Sequence, residues 1–366
     1  MTITAAVSES PGARFVLQEV ELAEIQPHEV LVEIAAVGIC HTDLMGRDGT
    51  LPTPLPAVLG HEGAGVVERV GSAVTGVSPG DHVALSFNSC GDCSGCLTGH
   101  PYHCQDFFAR NFSATRPDGT TALSRDGEQL HSHFFGQSSF ATRALASERS
   151  VVRIPDDVPF EVAAPLGCGV RTGAGAVMSV LRPPAGASLA VFGTGGVGMS
   201  AVMAGHAVGC ATIIAVDLNP KRLELARELG ATHVVDGGQE DAVEAIRRIT
   251  GPGVEFALEM SGSTRALRQA VDSTAPGGVC GVVGAPPFGT EVALDVNLLI
   301  ALGRTVRGIV GGDSVPGVLF PRLISLWRSG RFPFDRLIQT FDFDQINEAA
   351  ESAERGDVIK PVLLMR

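Results

Sequence analysis

The chain has 366 residues, 45% of them hydrophobic, enough for about two domains that each bury a core, so disorder and fibrous folds are excluded. Its 45 glycines follow no three-residue period and accompany only 22 prolines, which excludes collagen and favours many tight turns. A net charge of −13 has the wrong sign for a general nucleic-acid or anionic-membrane binder, so any phosphate ligand must be held locally.

The N-terminal MTITAAVSESPGARF lacks a basic segment followed by an apolar core and a small-residue cleavage site, and a cytoplasmic location is the default expectation. From about residue 12 to 150, short β-like runs such as EVLVEIAAVGI and GAGVVERVG alternate with turns such as PTPLP and SPGD. This part reads as a β-rich, barrel-like domain. Cys40 lies within it in GICHTD, and His61 and Glu62 in GHEGAGVVERVG. A His beside a Glu is most often a satisfied pair; this one gains meaning from Cys40 and from the distant Cys168 in LGCGV, both near glycine. Two cysteines and one histidine would give zinc three ligands and leave a fourth position open, the pattern of catalytic zinc.

Four more cysteines, Cys90, Cys93, Cys96 and Cys104, crowd the polar loop NSCGDCSGCLTGHPYHC. In a cytoplasmic chain such a cluster suggests metal before disulfide, and four thiolates on one loop can close a tetrahedral structural zinc site. An iron–sulfur cluster is the rival, although the ferredoxin-type run has a shorter final spacing followed by Pro, and here Gln105 follows Cys104.

Near Pro155 the pattern changes. PFEVAAPLGCGVRTGAGAVMSVL has helical spacing, and then the strand-like SLAVFG, TIIAVD, HVVD, VEFALEM and GGVCGVVGA alternate with the helix-like GMSAVMAGHAVG, PKRLELARELG and QEDAVEAIRRITG. That alternation predicts a parallel, doubly wound α/β sheet. Pro183 to Val216 carries no formal charge and is long enough to span a bilayer, but its seven glycines, four of them between Gly193 and Gly198, favour a buried strand, turn, helix and strand. The turn is Gly193-Thr194-Gly195-Gly196-Val197-Gly198. Gly193 allows a tight turn, Gly195 lets the backbone approach a pyrophosphate, and Gly198 lets the helix pack on the strand. Asp217 ends the next strand, where a carboxylate can accept from the adenosine ribose hydroxyls and repel the extra phosphate of NADP; NAD is the expected cofactor, with Arg222 leaving some tolerance. The tail adds VLFPRLISLWRSG and INEAAESAERGDVIKPVLLMR.

Taken in order, GICHTD, GHEGAGVVERVG, the four-cysteine lobe, LGCGVRTGAGAV, GTGGVG and AVDLNPKRLELARELGATHV resemble the zinc-dependent medium-chain alcohol dehydrogenases over essentially the whole chain. FFGQSSFAT and LGCGVRTGAGAV look most like the aryl-alcohol, or benzyl-alcohol, branch. The resemblance implies a GroES-like catalytic domain at 1–169 with a structural-zinc lobe at 88–106, a Rossmann NAD-binding domain at 170–310, and a return to the catalytic domain at 311–366. It implies a catalytic zinc on Cys40, His61 and Cys168, with Glu62 as an alternate ligand and Asp43 behind the histidine, and a second, structural zinc.

By the same resemblance Thr42 shuttles the alcohol proton, His41 and Lys360 contact the cofactor pyrophosphate, Thr172 lies near the nicotinamide, and Phe134 and Phe135 begin the substrate-pocket wall. Leu51, Leu55, Phe87 and Phe112 could add apolar surface. Many relatives carry a histidine three residues beyond the relay hydroxyl; here it is Met45, so the relay ends in water or another group, with His41 a candidate. The implied reaction is reversible oxidation of a primary aryl or allylic alcohol by NAD in a homo-oligomeric, dimeric or tetrameric enzyme. The alternative is a dehydrogenase of formaldehyde–thiol adducts, with Arg110, Arg116 and Arg171 as candidate recognition groups.

Overall fold

The structure is a computed structural model, and it describes residues 1–365. Two compact units divide the chain. The first holds Met1–Cys168, Val315–Pro321 and the chain from Asp335 onward; the second holds Gly169–Ser314 and Arg322–Phe334.

In the first unit the strands are β1 (Thr2–Ser8), β2 (Val16–Leu22), β3 (Glu29–Gly38), β4 (Ala57–Val58), β5 (Gly63–Val70), β6 (His82–Leu85), β7 (Leu123–Arg125), β8 (Glu128–Leu130), β9 (Arg143–Ser147) and β10 (Val151–Arg153). The second unit supplies β11 (Ser188–Phe192), β12 (Thr212–Asp217), β13 (His233–Asp236), β14 (Val254–Glu259), β15 (Thr274–Val282) and β16 (Thr305–Gly308). The returning chain adds β17 (Ile338–Asp342) and β18 (Lys360–Leu364) to the first unit.

The first unit contains one sheet in the order β4-β1-β2-β7-β8 and a second in the order β10-β6-β5-β3-β18-β17, with β9 also on β3. Apart from Glu33 and Ala35, every residue of β3 is buried, as a strand covered on both faces requires. Its pairing with β5 admits no side chain at Gly65, where a Cβ would lie 1.9 Å from the Glu33 carbonyl oxygen. This close approach sets the entry of the His61 segment. One core runs through the unit, from Val30, Leu31 and Val32 through Phe134 and Phe140 to Ile346 and Leu363.

The second unit is an all-parallel sheet in the order β13-β12-β11-β14-β15-β16. This is the doubly wound order, which reverses between β11 and β14 and opens a crevice at their carboxyl ends. Asn219, Asp241 and Ser263 each cap the helix that follows by accepting a backbone N–H, which explains where helices Pro220–Glu228, Ala242–Thr250 and Thr264–Asp272 begin. The uncharged stretch 183–216 resolves into β11, helix Gly196–Val208 and β12. Among the described residues no helix is long and apolar enough to cross a membrane.

Candidate active site

Cys40 ends the loop after β3 and caps helix His41–Arg47 in an extended conformation, with its N–H donating to Asp43 Oδ2 at 2.9 Å. Asp43 is fully buried, and its Oδ1 accepts from Gly60 N–H at 3.1 Å and pairs with His61 Nδ1 at 2.7 Å. One carboxylate thus ties the Cys40 turn to the His61 turn and fixes the imidazole tautomer. Gly60 is required there: its φ is +89°, and a Cβ would lie 2.5 Å from the Phe140 backbone nitrogen. Cys168 joins from a break in the helical stretch 160–181, where its φ of −140° and ψ of −82° interrupt the helix.

Donor atoms of Cys40, His61, Glu62 and Cys168 all lie within 4.8 Å of one another. His61 Nε2 is buried without a hydrogen-bond partner. A Cys168 hydrogen bond holds the Cys40 thiol well below its ordinary value against the opposing effect of burial. Burial disfavours charge on His61, but Asp43 outweighs it and pushes the imidazole up to about 10. Two cysteine sulfurs and an unpartnered imidazole nitrogen, gathered this closely, are a donor set that fits zinc.

Lys360 is buried, with Nζ donating to Glu62 Oε1 at 3.0 Å, Oε2 at 2.9 Å and the Ile39 carbonyl at 3.2 Å. Burial opposes its charge, yet Glu62 holds the ammonium above its ordinary value. Thr42 is half-buried, its hydroxyl 3.7 Å from Cys40 Sγ; His41 is exposed and Met45 is buried.

Phe134 and Phe135 pack on the metal-ligand candidate itself. The Phe135 ring stacks on the His61 imidazole with centroids 4.4 Å apart and planes at 25°, and Phe134 meets it edge-on at 5.7 Å. Phe112 extends the cluster, 5.1 Å from Phe135. Phe134 has no exposed surface and Phe135 retains 8%. Sequence reasoning passed over Gln137, which bonds the backbone on both sides of Glu62; the only available signal was its place in FFGQSSFAT.

The four-cysteine lobe also converges. Cys90 Sγ lies 3.4 Å from Cys104 Sγ and 3.8 Å from Cys96 Sγ, close to the separation of about 3.8 Å that tetrahedral zinc–sulfur bonds of about 2.3 Å produce. Backbone N–H groups of Cys96 and Gln105 lower the Cys93 thiol to about 6, whereas burial raises the thiols of Cys90 and Cys96.

In the second unit each glycine of the turn meets its geometric demand. Gly193 has φ +88°, a Cβ on Gly198 would lie 1.8 Å from the Gly193 carbonyl, and nothing stands within 4 Å of a Cβ placed on Gly195. Gly196 and Val197 open helix Gly196–Val208, and the clear space over Gly195 is where phosphate oxygens can reach the turn. Asp217 Oδ2 accepts from Thr194 N–H at 2.6 Å and its hydroxyl at 2.8 Å, while Oδ1 accepts from Leu218 and Asn219 N–H. Arg222 is half-buried in the next helix; Thr172 is buried in helix Gly169–Gly175.

Of the three candidate arginines, Arg110 and Arg116 line one cleft of the first unit. Arg116 is buried in a bidentate pair with Glu29, and Arg171, in the other unit, is buried and bonds the Gly311 carbonyl. Arg110 lines a cleft of about 740 Å³ beside the four-cysteine lobe and faces Asp106 at 3.6 Å.

Comparisons with known proteins show the family of the chain. A model of the alcohol dehydrogenase GroES-like domain matches residues 26–156, and one of the zinc-binding dehydrogenases matches residues 196–326. The chain is 46% identical over 362 residues to a geraniol dehydrogenase of Castellaniella defragrans, covering 98% of this chain and 97% of that one. The crystal structure of benzyl alcohol dehydrogenase from Acinetobacter calcoaceticus matches at a TM-score of 0.97 and 46% identity, covering 100% of both chains. That of an alcohol dehydrogenase zinc-binding domain protein from Burkholderia ambifaria matches at a TM-score of 0.98 and 50% identity, covering 100% of this chain and 99% of the other.

Proposed function

This chain belongs to the zinc-dependent medium-chain alcohol dehydrogenases, and we propose that it reversibly oxidises a primary aryl or allylic alcohol to its aldehyde with NAD as hydride acceptor. The observation that carries this reading is the convergence of Cys40, His61 and Cys168, with His61 Nε2 unpartnered, beneath the rings of Phe134, Phe135 and Phe112. Two relatives are named for geraniol and benzyl alcohol, one an allylic and one an aryl primary alcohol, and both are apolar next to the carbinol, as a pocket of aromatic side chains suits.

Cys40, His61 and Cys168 hold the catalytic zinc, and the four-cysteine lobe holds a second, structural one. Bound there, zinc supplies a Lewis acid that makes an alcohol hydroxyl acidic. Thr42, two residues beyond Cys40, accepts the hydroxyl proton and passes it on; with Met45 unable to carry it further, His41 or water takes it to solvent. The Gly193–Gly198 turn presents backbone N–H groups to the pyrophosphate, and Asp217 selects NAD over NADP by its charge. Lys360 keeps Glu62 charge-balanced beside the thiols. Six cysteines committed to zinc as thiolates suit a reducing compartment, which supports a cytoplasmic enzyme.

The enzyme works as a homo-oligomer. Support comes from β16, an edge strand whose four residues are all exposed, and from helix Val296–Leu302, which exposes Val296, Leu298 and Ile300. In the formaldehyde–thiol reading Arg116 and Arg171 are committed within the fold, which leaves Arg110 as its candidate recognition group.

The initial rate of NADH formation from benzyl alcohol, geraniol, ethanol and a formaldehyde–thiol mixture at equal concentration tests the proposal. High rates on the first two are expected. Activity confined to the thiol mixture overturns the substrate assignment.

A further inference from the structure

We propose that Phe135 and Gln137 are positioning residues for the metal ligand His61, one fixing the plane of its ring and the other its backbone; this rests on the reading that Cys40, His61 and Cys168 hold zinc. Asp43 anchors Nδ1 but, as a single hydrogen bond, leaves the imidazole free to tilt about that contact. The Phe135 ring, nearly parallel to the imidazole at 4.4 Å, removes that freedom. Gln137 is 1% exposed, and every polar group of its amide is used. Its Nε2 donates to the His61 and Ser86 carbonyls, both at 3.0 Å, and its Oε1 accepts from Gly63 N–H at 3.1 Å and the Ser139 hydroxyl at 2.6 Å. One side chain thus grips the main chain at His61 and again at Gly63.

The backbone that presents these two residues is strained. His133, Phe135 and Ser138, none of them glycine, have φ of +68°, +53° and +56°. Each such conformation costs roughly 1–2 kcal/mol and persists only where the surroundings over-determine it. Here Glu29 holds His133 at 3.1 Å, and the Ser138 hydroxyl donates to the Val58 carbonyl at 2.6 Å while accepting from Phe134 N–H at 2.9 Å. Strain concentrated in a segment wrapped around one ligand is the signature of an enforced geometry.

The test uses Phe135→Leu, which keeps an apolar side chain without a flat face, and Gln137→Glu, which keeps the shape and the acceptors but loses both donors. Zinc release from each folded holoenzyme to a chromogenic chelator is followed. The phase from the four-cysteine lobe, identified with Cys168→Ser, serves as an internal reference. Cobalt-substituted enzymes give the visible ligand-field spectrum. Expected are release from the Cys40–His61–Cys168 site faster by about tenfold, as for loss of groups that orient a metal ligand, with shifted cobalt bands and an unchanged lobe phase. Equal release rates with an unchanged spectrum overturn the inference, as does parallel acceleration of both phases. Wild-type enzyme with zinc in the lobe alone overturns the metal reading beneath it.

Discussion

At the scale of single residues, the two chemistries sit on separate compact units: the thiol–imidazole cluster on the first, and the glycine turn with Asp217 on the second. His61→Ala is therefore expected to cut turnover by about a thousandfold or more, the several kcal/mol of a lost Lewis acid, while NADH binding by fluorescence titration survives. Loss of both together would mean unfolding instead. Asp217→Ala is expected to shift the ratio of NADP to NAD efficiency toward NADP by roughly tenfold, about 1.4 kcal/mol, and an unchanged ratio counts against its role. The same change should raise the KM for NAD, because the Thr194 N–H and hydroxyl lose the carboxylate that ties the turn to the end of β12. The proposed zinc ligands were legible from the run Cys90, Cys93, Cys96 and Cys104 and from the motifs GICHTD, GHEGAG and LGCGV taken together, since cysteines near glycine or a histidine after one also occur at Cys210, His100 and His206. The partners of Lys360 and Gln137 were not, since a bond to Glu62 from 298 positions away, or to backbone carbonyls, leaves no local signature.

At the scale of elements, alternation and glycine punctuation revealed the first five strands of the parallel sheet and three charged or small-residue crossovers, because each is stabilised by local period and caps. The edge strand β16 and helix Val296–Leu302 were not legible, since one depends on non-local pairing with β15 and the other exposes apolar residues against the expected pattern, whereas helix Thr264–Asp272 carried a readable cap in Ser263 and was overlooked. The tie between the start of β3 and the strained 133–138 turn was equally hidden. Glu29 accepts Arg116 Nε at 2.7 Å and Nη2 at 2.9 Å, pairs with His133 Nε2 at 3.1 Å, and takes the Gln26 N–H. Burial alone would raise its carboxyl, but His133 and Arg116 bring it down from 4.5 to about 2. A depressed carboxyl stabilises the fold above its unfolded value of 4.5 and loses that contribution as pH falls through about 2, a difference of about 3 kcal/mol. Glu29→Gln should accordingly unfold at lower temperature than the wild type at pH 6, with the gap narrowing toward pH 3 in calorimetric scans. A gap independent of pH would show that Glu29 contributes packing and not charge.

At the scale of the molecule, the acidic chain keeps unrelated copies apart, so a homo-oligomer needs a surface that overrides repulsion. The second unit offers one. Its sheet ends on β16 with unpaired N–H and C=O groups and no helix covering its residues, while Val296 at 65% and Ile300 at 74% exposure lie in the helix just before it. An uncovered edge strand is an aggregation hazard unless something pairs with it, and an isologous partner meets the same edge under two-fold symmetry. Continuation of the sheet across β16 would pair its backbone groups and remove the apolar side chains beside it from water. Ile300→Asp together with Val306→Pro should therefore yield a monomer by light scattering, where the wild type is expected to be a dimer or tetramer. Zinc content should be unchanged, since neither residue belongs to the first unit. A double variant that keeps the wild-type mass would place the subunit interface on another face of the molecule.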